Sequence, residues 1–343
     1  MKMTKKGILL VNLGTPDTPS VPDVKRYLDQ FLMDGRVLDI PYFQRALLVK
    51  GAIVPKRGPQ SAKLYSEIWD PETGSPLMHY SLVQQKMLQE ALGEEYHVAL
   101  AMRYQNPSIA SALAELEKIP LESLRIIPLF PQYASATTGS IMEEVMRIMQ
   151  KWNSFPSISI LGDFYNHPTM IEVFADHAAQ FDLNHFDHIL FSYHGLPISQ
   201  LQPHCMQSCT HHDEQDPCRT QMSGENRYCY VGQCFETTRL IADRLALPKE
   251  KYSVCFQSRL GKTPWIQPYT SDMLKSLADQ GKKRLLVLCP AFVADCIETI
   301  HEIGVEYAEE FEEMGGHEVK LVPSLNDDPK WIQALVNMST AKI

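Results

Sequence analysis

Arg284-Leu285-Leu286-Val287-Leu288-Cys289-Pro290 is apolar after its first residue, closes on a proline and runs into a helix-like stretch by about Ala294. Leu124-Arg125-Ile126-Ile127-Pro128-Leu129-Phe130-Pro131 follows the same plan earlier in the chain, leading through a turn to a helix near Ser140. A strand without polar alternation has to be covered on both faces, which points to a parallel sheet flanked by helices.

Working outward, similar runs predict strands at Gly7–Leu13, His97–Met102, His188–Tyr193, Tyr252–Gln257 and Glu318–Val322. Helix-like stretches at Ser81–Leu92, Ser108–Lys118, Ser140–Trp152, Thr169–Gln180 and Phe235–Leu245 lie between them. Strands alternating with helices make an α/β fold. At 343 residues the chain exceeds one comfortable core. Domains run to about 100–200 residues, so two similar halves joined near 155–164 fit the length.

Hydrophobic residues make up 44% and charged residues 21%, the balance of a folded globular chain. A net charge of -9 argues against a nucleic-acid partner, which needs a basic face. The start, Met1-Lys2-Met3-Thr4-Lys5-Lys6-Gly7-Ile8-Leu9-Leu10-Val11-Asn12, has too short an apolar run and no small-residue cleavage site for a signal peptide. No apolar run reaches the roughly 18 residues of a transmembrane helix, so a cytoplasmic location is expected. Phe43–Pro55 (FQRALLVKGAIVP) reads either as a partly buried helix or as a lip lying on a membrane surface.

Of eight cysteines, five (Cys205, Cys209, Cys218, Cys229 and Cys234) fall in one stretch. In a reducing compartment such a cluster reads as metal-binding or catalytic before it reads as disulfides.

Ligands of open α/β sheets sit beyond the carboxyl ends of strands, which directs attention to two places. His194 follows the strand His188–Tyr193 and precedes Gly195-Leu196-Pro197. It reads as a proton-transfer group or as a turn histidine bonded to backbone. Beyond Cys289-Pro290, Glu298, Glu302 and Glu306 recur at i, i+4, i+8, a line along one face of a helix, with Asp295 one turn before. No Lys or Arg lies between Asp295 and Glu310 to offset the repulsion. The stripe reads as a solvated acidic face or as a relay for a divalent cation or protons.

Taken together, Asn12-Leu13-Gly14-Thr15-Pro16, Met102-Arg103-Tyr104, Pro131-Gln132-Tyr133-Ala134-Ser135-Ala136-Thr137-Thr138-Gly139, Ser192-Tyr193-His194-Gly195-Leu196-Pro197, Phe256-Gln257-Ser258-Arg259 with Pro264-Trp265, and Asp295-Cys296-Ile297-Glu298-Thr299 occur in this order. The chain resembles the ferrochelatases, from about Gly7 to Leu335. The resemblance implies two similar Rossmann-like domains with parallel sheets and a cleft between them. These are expected at 1–160 and 161–325, the second carrying a cysteine-rich insertion at 198–234, with a C-terminal helix at 326–343. It implies insertion of Fe2+ into protoporphyrin IX, giving protohaem and two protons, as the last step of haem biosynthesis. His194 and Glu298 are the implied catalytic pair and meet the substrate iron. Glu302, Glu306 and Asp295 form the implied proton or metal relay, and Leu13, Arg103, Tyr104 and Trp265 line the porphyrin. Leu13 stands where coproporphyrin-using relatives commonly have tyrosine, which leans the substrate toward protoporphyrin.

The chemistry suits these residue types. A bent macrocycle exposes nitrogen lone pairs on one side, a base removes the pyrrole protons, and carboxylates carry protons or a partly dehydrated ion. The resemblance also implies peripheral contact with the inner membrane and with the preceding oxidase.

Some ferrochelatases hold a 2Fe–2S cluster on four thiolates. In the best-known set one cysteine lies near the Pro-Gln-Tyr motif and three near the C-terminus. Here Ser135 stands near the first position and no cysteine follows Cys296, so that set is not expected. The resemblance is to bacterial members with an internal cysteine-rich segment. It gives Cys205, Cys209, Cys218 and Cys229 as ligands, with Cys234 as the alternative to Cys229. A zinc site, with His204, His211 or His212 replacing a thiolate, and free cysteines remain open. Cys255 and Cys289 read as packing residues in strands. The competing functions are a cobalt or nickel chelatase on the same scaffold and a non-catalytic iron–sulfur or porphyrin sensor.

Overall fold

The computed structural model describes residues 4–201, 205, 216–259, 261 and 263–341. The chain divides into two compact units. Residues 1–130, 134–163 and 332–343 make the first, and residues 131–133 and 164–331 the second.

In the first unit β1 (Lys5–Gly14), β2 (Tyr96–Tyr104), β3 (Leu121–Pro128) and β4 (Ser157–Ile160) form a parallel sheet in the order β2-β1-β3-β4. In the second, β5 (His188–His194), β6 (Tyr252–Gln257), β7 (Arg284–Leu288) and β8 (Glu318–Leu321) form another in the order β6-β5-β7-β8. The two orders are the same, and the two proline-ended runs, β3 and β7, hold equivalent places. The α/β reading with two similar parallel-sheet halves is what the chain adopts.

Covering both faces explains the apolar runs. Leu9, Val11, Leu124 and Ile126 pack with Ile141 and Val145 in one core of the first unit. Leu190, Leu285 and Val287 pack with Leu274, Ile303 and Phe311 in the second. Strand order reverses between β1 and β3, and again between β5 and β7. In open α/β sheets such a reversal is where ligands bind, beyond the carboxyl ends of the strands. Gly14 ends β1 at φ +115, where an added Cβ would come within 2.0 Å of the Tyr104 carbonyl oxygen. Only glycine lets the ends of β1 and β2 approach this closely.

Three elements differ from expectation. β4 has no apolar run because it is an edge strand, half-exposed along its Ser157-Ile158-Ser159-Ile160 length. The boundary between the units falls at 163/164, three residues past the expected domain bound but inside the 155–164 stretch. The C-terminal helix, Pro329–Thr340, is not a segment apart: from Ile332 onward it belongs to the first unit. There Arg125 Nη1 of β3 donates to the Met338 carbonyl at 2.6 Å.

The stretch Phe43–Pro55 lies in a helical run: Tyr42–Leu48, a π-helical turn Val49–Ile53, then Val54–Ile68. Val49 and Val54 are buried with Leu32, whereas Phe43 and Leu47 are 85% and 79% exposed. One face of this run is buried, as expected of a partly buried helix, and the other is apolar and solvent-facing. No helix among the described residues is long and apolar enough to cross a membrane.

Candidate functional site

In the second unit the carboxyl ends of β5 and β6 are locked together. His194 pairs in register with Gln257, and the Gly195 N–H donates to the Gln257 carbonyl at 2.8 Å. An added Cβ on Gly195 would lie 2.9 Å from that oxygen and 3.2 Å from the Trp265 ring, so glycine is required here. His194 is half-buried, its ring centroid 6.5 Å from that of Trp265, and Tyr230 Oη donates to its carbonyl at 2.9 Å. His194 Nδ1 lies 2.6 Å from the Gly195 carbonyl oxygen. A carbonyl only accepts, so the neutral ring carries its proton on Nδ1 and presents a lone pair at Nε2.

The carboxylate stripe is placed differently from the expected α-helix. Glu298–Glu306 is π-helical, with i→i+5 bonding. In an α-helix i+4 overshoots a full turn, whereas in this wider coil it falls short, so Glu298, Glu302 and Glu306 still follow a shallow line.

Their environments differ sharply. Glu302 Oε2 accepts from Gln257 Nε2 at 2.9 Å and from Ser258 Oγ at 2.6 Å, and Tyr307 Oη donates to Oε1 at 3.4 Å. Burial pushes the Glu302 carboxyl above its ordinary value, and nearby Glu298 adds to the rise. The Ser258 and Gln257 hydrogen bonds and the attraction of His194 reverse only part of it. Glu298 is half-buried, its carbonyl taking the other proton of Gln257 Nε2 at 2.9 Å. Glu306 is the solvated end, 51% exposed and 3.5 Å from His301 Nδ1. Asp295 precedes the helix instead of extending the line. Its carboxylate accepts from Thr299 Oγ1 at 2.9 Å and Asn326 Nδ2 at 2.7 Å, tying the turn after β7 to the segment after β8.

The first unit builds a different network at the end of β2. Arg103 Nη2 donates to Asp34 Oδ2 at 2.7 Å, Arg103 Nε to Ser140 Oγ at 2.6 Å, and Tyr104 Oη to Asp34 Oδ2 at 2.9 Å. Burial alone would raise the Asp34 carboxyl. Hydrogen bonds from Ser140, the Arg36 N–H and Tyr104, together with the Arg103 charge, outweigh it and hold the group below its ordinary value. The polar ends of Arg103 and Tyr104 are thus occupied within the unit. Leu13 is half-buried at the end of β1, its N–H bonded to Asn12 Oδ1 at 2.8 Å, and Asn12 is anchored in turn on Ser81.

Several residues of these networks escape sequence reasoning. Asp34 meets partners 69, 70 and 106 positions away, with no local pattern to mark it. Gln257 and Ser258 lie in a motif that drew notice, yet their role appears only once β6 is set against Glu298–Glu306. Tyr307 carries no such signal.

Among the described cysteines, Cys205 Sγ lies 2.9 Å from Cys218 Sγ and 3.4 Å from Cys229 Sγ, and all three sulfurs fall within 4.8 Å of one another. Cys234 is not one of this trio. It is buried in the helix Tyr230–Arg244, where burial pushes its thiol well above the ordinary value. Cys209, His204, His211 and His212 lie outside the described residues. Cys255 and Cys289 are buried at β6 and just beyond β7, and burial pushes the Cys255 thiol up to about 11. Both fit packing roles.

Comparisons with known proteins point to one family. The ferrochelatase family model matches residues 5–343. A Coxiella burnetii (strain Dugway 5J108-111) ferrochelatase is 44% identical, covering 98% of this chain and 93% of its own. A Legionella pneumophila (strain Corby) ferrochelatase is 43% identical, covering 99% and 100%. Among solved structures, SirB from Bacillus subtilis with Fe3+ superposes with TM-score 0.52 at 13% identity, covering 97% of this chain and 94% of its own. At that identity the likeness speaks to the fold alone. With the motifs, the repeated strand order and relatives of this similarity in agreement, the chain belongs to the ferrochelatase family.

Proposed function

We propose that this chain inserts Fe2+ into protoporphyrin IX, forming protohaem with release of two pyrrole protons. The observation that carries this is the tautomer imposed on His194, whose Nδ1 faces the Gly195 carbonyl at 2.6 Å and leaves Nε2 as a base or metal ligand beyond a strand end. His194 and Glu298 meet the iron. A pyrrole proton taken at Nε2 passes to the carboxylate line, in which Glu302 is held among neutral donors and Glu306 opens to solvent. Asp295 supports that line from its buried network. Leu13, Arg103 and Trp265 are the residues proposed to contact the porphyrin, Arg103 through its apolar surface because its guanidinium is bonded to Asp34. Tyr104, expected to join them, is only 1% exposed and instead backs Arg103, whose guanidinium lies 4.7 Å from its ring centroid.

The test is anaerobic addition of Fe2+ and protoporphyrin IX to the purified protein, following the absorbance of the porphyrin. Turnover to haem is expected. Its absence with iron overturns the assignment, and turnover confined to cobalt or nickel favours the chelatase alternative.

The cysteine trio fits a thiolate-held group, because three soft sulfur donors converge within one ligand sphere. We propose a 2Fe–2S cluster on Cys205, Cys218 and Cys229 with Cys209 as the fourth ligand; Cys234 is the weaker choice because it is not one of the trio. Such a cluster supplies one-electron redox chemistry and a covalent brace for its segment. Iron with equimolar acid-labile sulfide is expected in anaerobically purified protein, whereas zinc without sulfide contradicts the cluster.

The exposed Tyr42, Phe43 and Leu47 side chains support peripheral contact with the inner membrane, where the preceding oxidase would hand over its apolar product. Co-sedimentation of the protein with liposomes, reduced in Phe43→Ser, is the corresponding measurement.

A further inference from the structure

Ser258 stands directly after β6 with φ +65, the left-handed region that a residue with a Cβ adopts at a cost. Gln105 stands at the equivalent place, directly after β2 of the first unit, with φ +67. Both units thus place a left-handed residue directly after the second strand, where glycine would sit most cheaply. Each unit instead carries a side chain there and uses it. Gln105 Nε2 donates to Gln30 Oε1 at 2.7 Å, whereas Ser258 Oγ donates to Glu302 Oε2 at 2.6 Å.

The surroundings of that hydroxyl are directional. Ser192 Oγ donates to Gln257 Oε1 at 2.8 Å, which turns the Gln257 amide nitrogen toward Glu302 Oε2, 2.9 Å away. Oε2 thus receives two donors, while Oε1 has the 3.4 Å contact with Tyr307 Oη. A carboxylate with one oxygen saturated by fixed donors exchanges protons through the other.

We propose that Ser258 is a positioning residue for Glu302, aimed by its left-handed backbone to pin Oε2 and leave Oε1 as the oxygen that exchanges protons during metal insertion. This rests on the assignment above of metal insertion to this chain.

The test compares Ser258→Ala with Ser258→Gly. Both lose the hydroxyl, but glycine relieves the backbone cost and alanine does not. Positioning predicts that kcat for iron insertion falls by about tenfold in both variants, the scale of one hydrogen bond to a charged group, while KM for porphyrin is unchanged. Thermal stability should separate them, with Tm of the glycine variant about 2 °C above that of the alanine variant. A kcat that recovers in Ser258→Gly along with Tm makes the residue merely structural and overturns the proposal, as does wild-type kcat in Ser258→Ala. Combining either variant with Glu302→Gln should add no further loss; additive losses contradict the coupling. A wild-type protein that inserts no metal refutes the assignment of function instead, so the two failures are distinguishable.

Discussion

The two units repeat one strand order and much of its detail. Each places a left-handed residue after its second strand, Gln105 or Ser258, and each follows its third strand with a π-helical segment, Ser135–Gly139 or Glu298–Glu306. They diverge in how a buried carboxylate is satisfied. Asp34 of the first unit faces the Arg103 guanidinium and is held ionised, a closed charge pair. Glu302 of the second faces Gln257, Ser258 and Tyr307, all neutral, and burial lifts its carboxyl toward the protonated form. A carboxylate paired with a fixed cation holds geometry, whereas one among neutral donors can gain and lose a proton. The same strand order thus carries a closed charge pair in one unit and a carboxyl among neutral donors in the other.

The strongest way to break this contrast is to remove the closed pair. Asp34→Ala leaves Arg103, 16% exposed, without its counter-charge and strips an acceptor from Tyr104 and Ser140. A loss of about 3 kcal/mol is expected by denaturant titration, the scale for one partner removed from a buried pair. A loss under about 1 kcal/mol would match a surface pair and contradict the structural role.

Glu302→Gln tests the other half. Iron insertion should slow on the order of tenfold, while stability moves the opposite way. A carboxyl whose value is raised in the folded state costs stability as pH climbs from the ordinary glutamate range through the raised value. The glutamine variant escapes that cost and should be the more stable protein at neutral pH but not at acid pH. Equal pH profiles would contradict the raised value, and a glutamine variant less stable at neutral than at acid pH would place Glu302 in the same class as Asp34.

A smaller effect separates the two ends of β5. His188, at the amino end, is buried, its Nε2 2.9 Å from Ser253 Oγ and its Nδ1 without a partner among the described residues. Burial, then the nearby Lys282 and Lys251 charges, push it down to about 4. Its contribution is whole above the unfolded value of about 6.5 and is lost as pH falls from there toward 4. His188→Gln should flatten the stability profile over that window and leave kcat unchanged. An unflattened profile would show that His188 is solvated.

Continuous apolar runs made β1, β3, β5 and β7 legible, because burial on both faces removes every polar position at once. The solvent-facing edge strand β4 left no such mark. His194 and the Glu298–Glu302–Glu306 spacing stand out in the sequence, yet a four-residue repeat does not separate an α-helix from a π-helix, and Asp295 lies before the helix, off the line. Asp34 was silent because its meaning comes from partners far along the chain. In the cysteine segment the resemblance names Cys229 with Cys234 as its alternative, and the Cys229 sulfur lies with those of Cys205 and Cys218.

The proposed iron insertion depends above all on His194 of the second unit. Its most direct test is His194→Ala, with iron insertion and protoporphyrin binding measured on the same preparation. Loss of kcat by at least about 100-fold with porphyrin affinity retained is the expected result. Turnover close to the wild-type value, or loss of porphyrin binding in step with turnover, would contradict it.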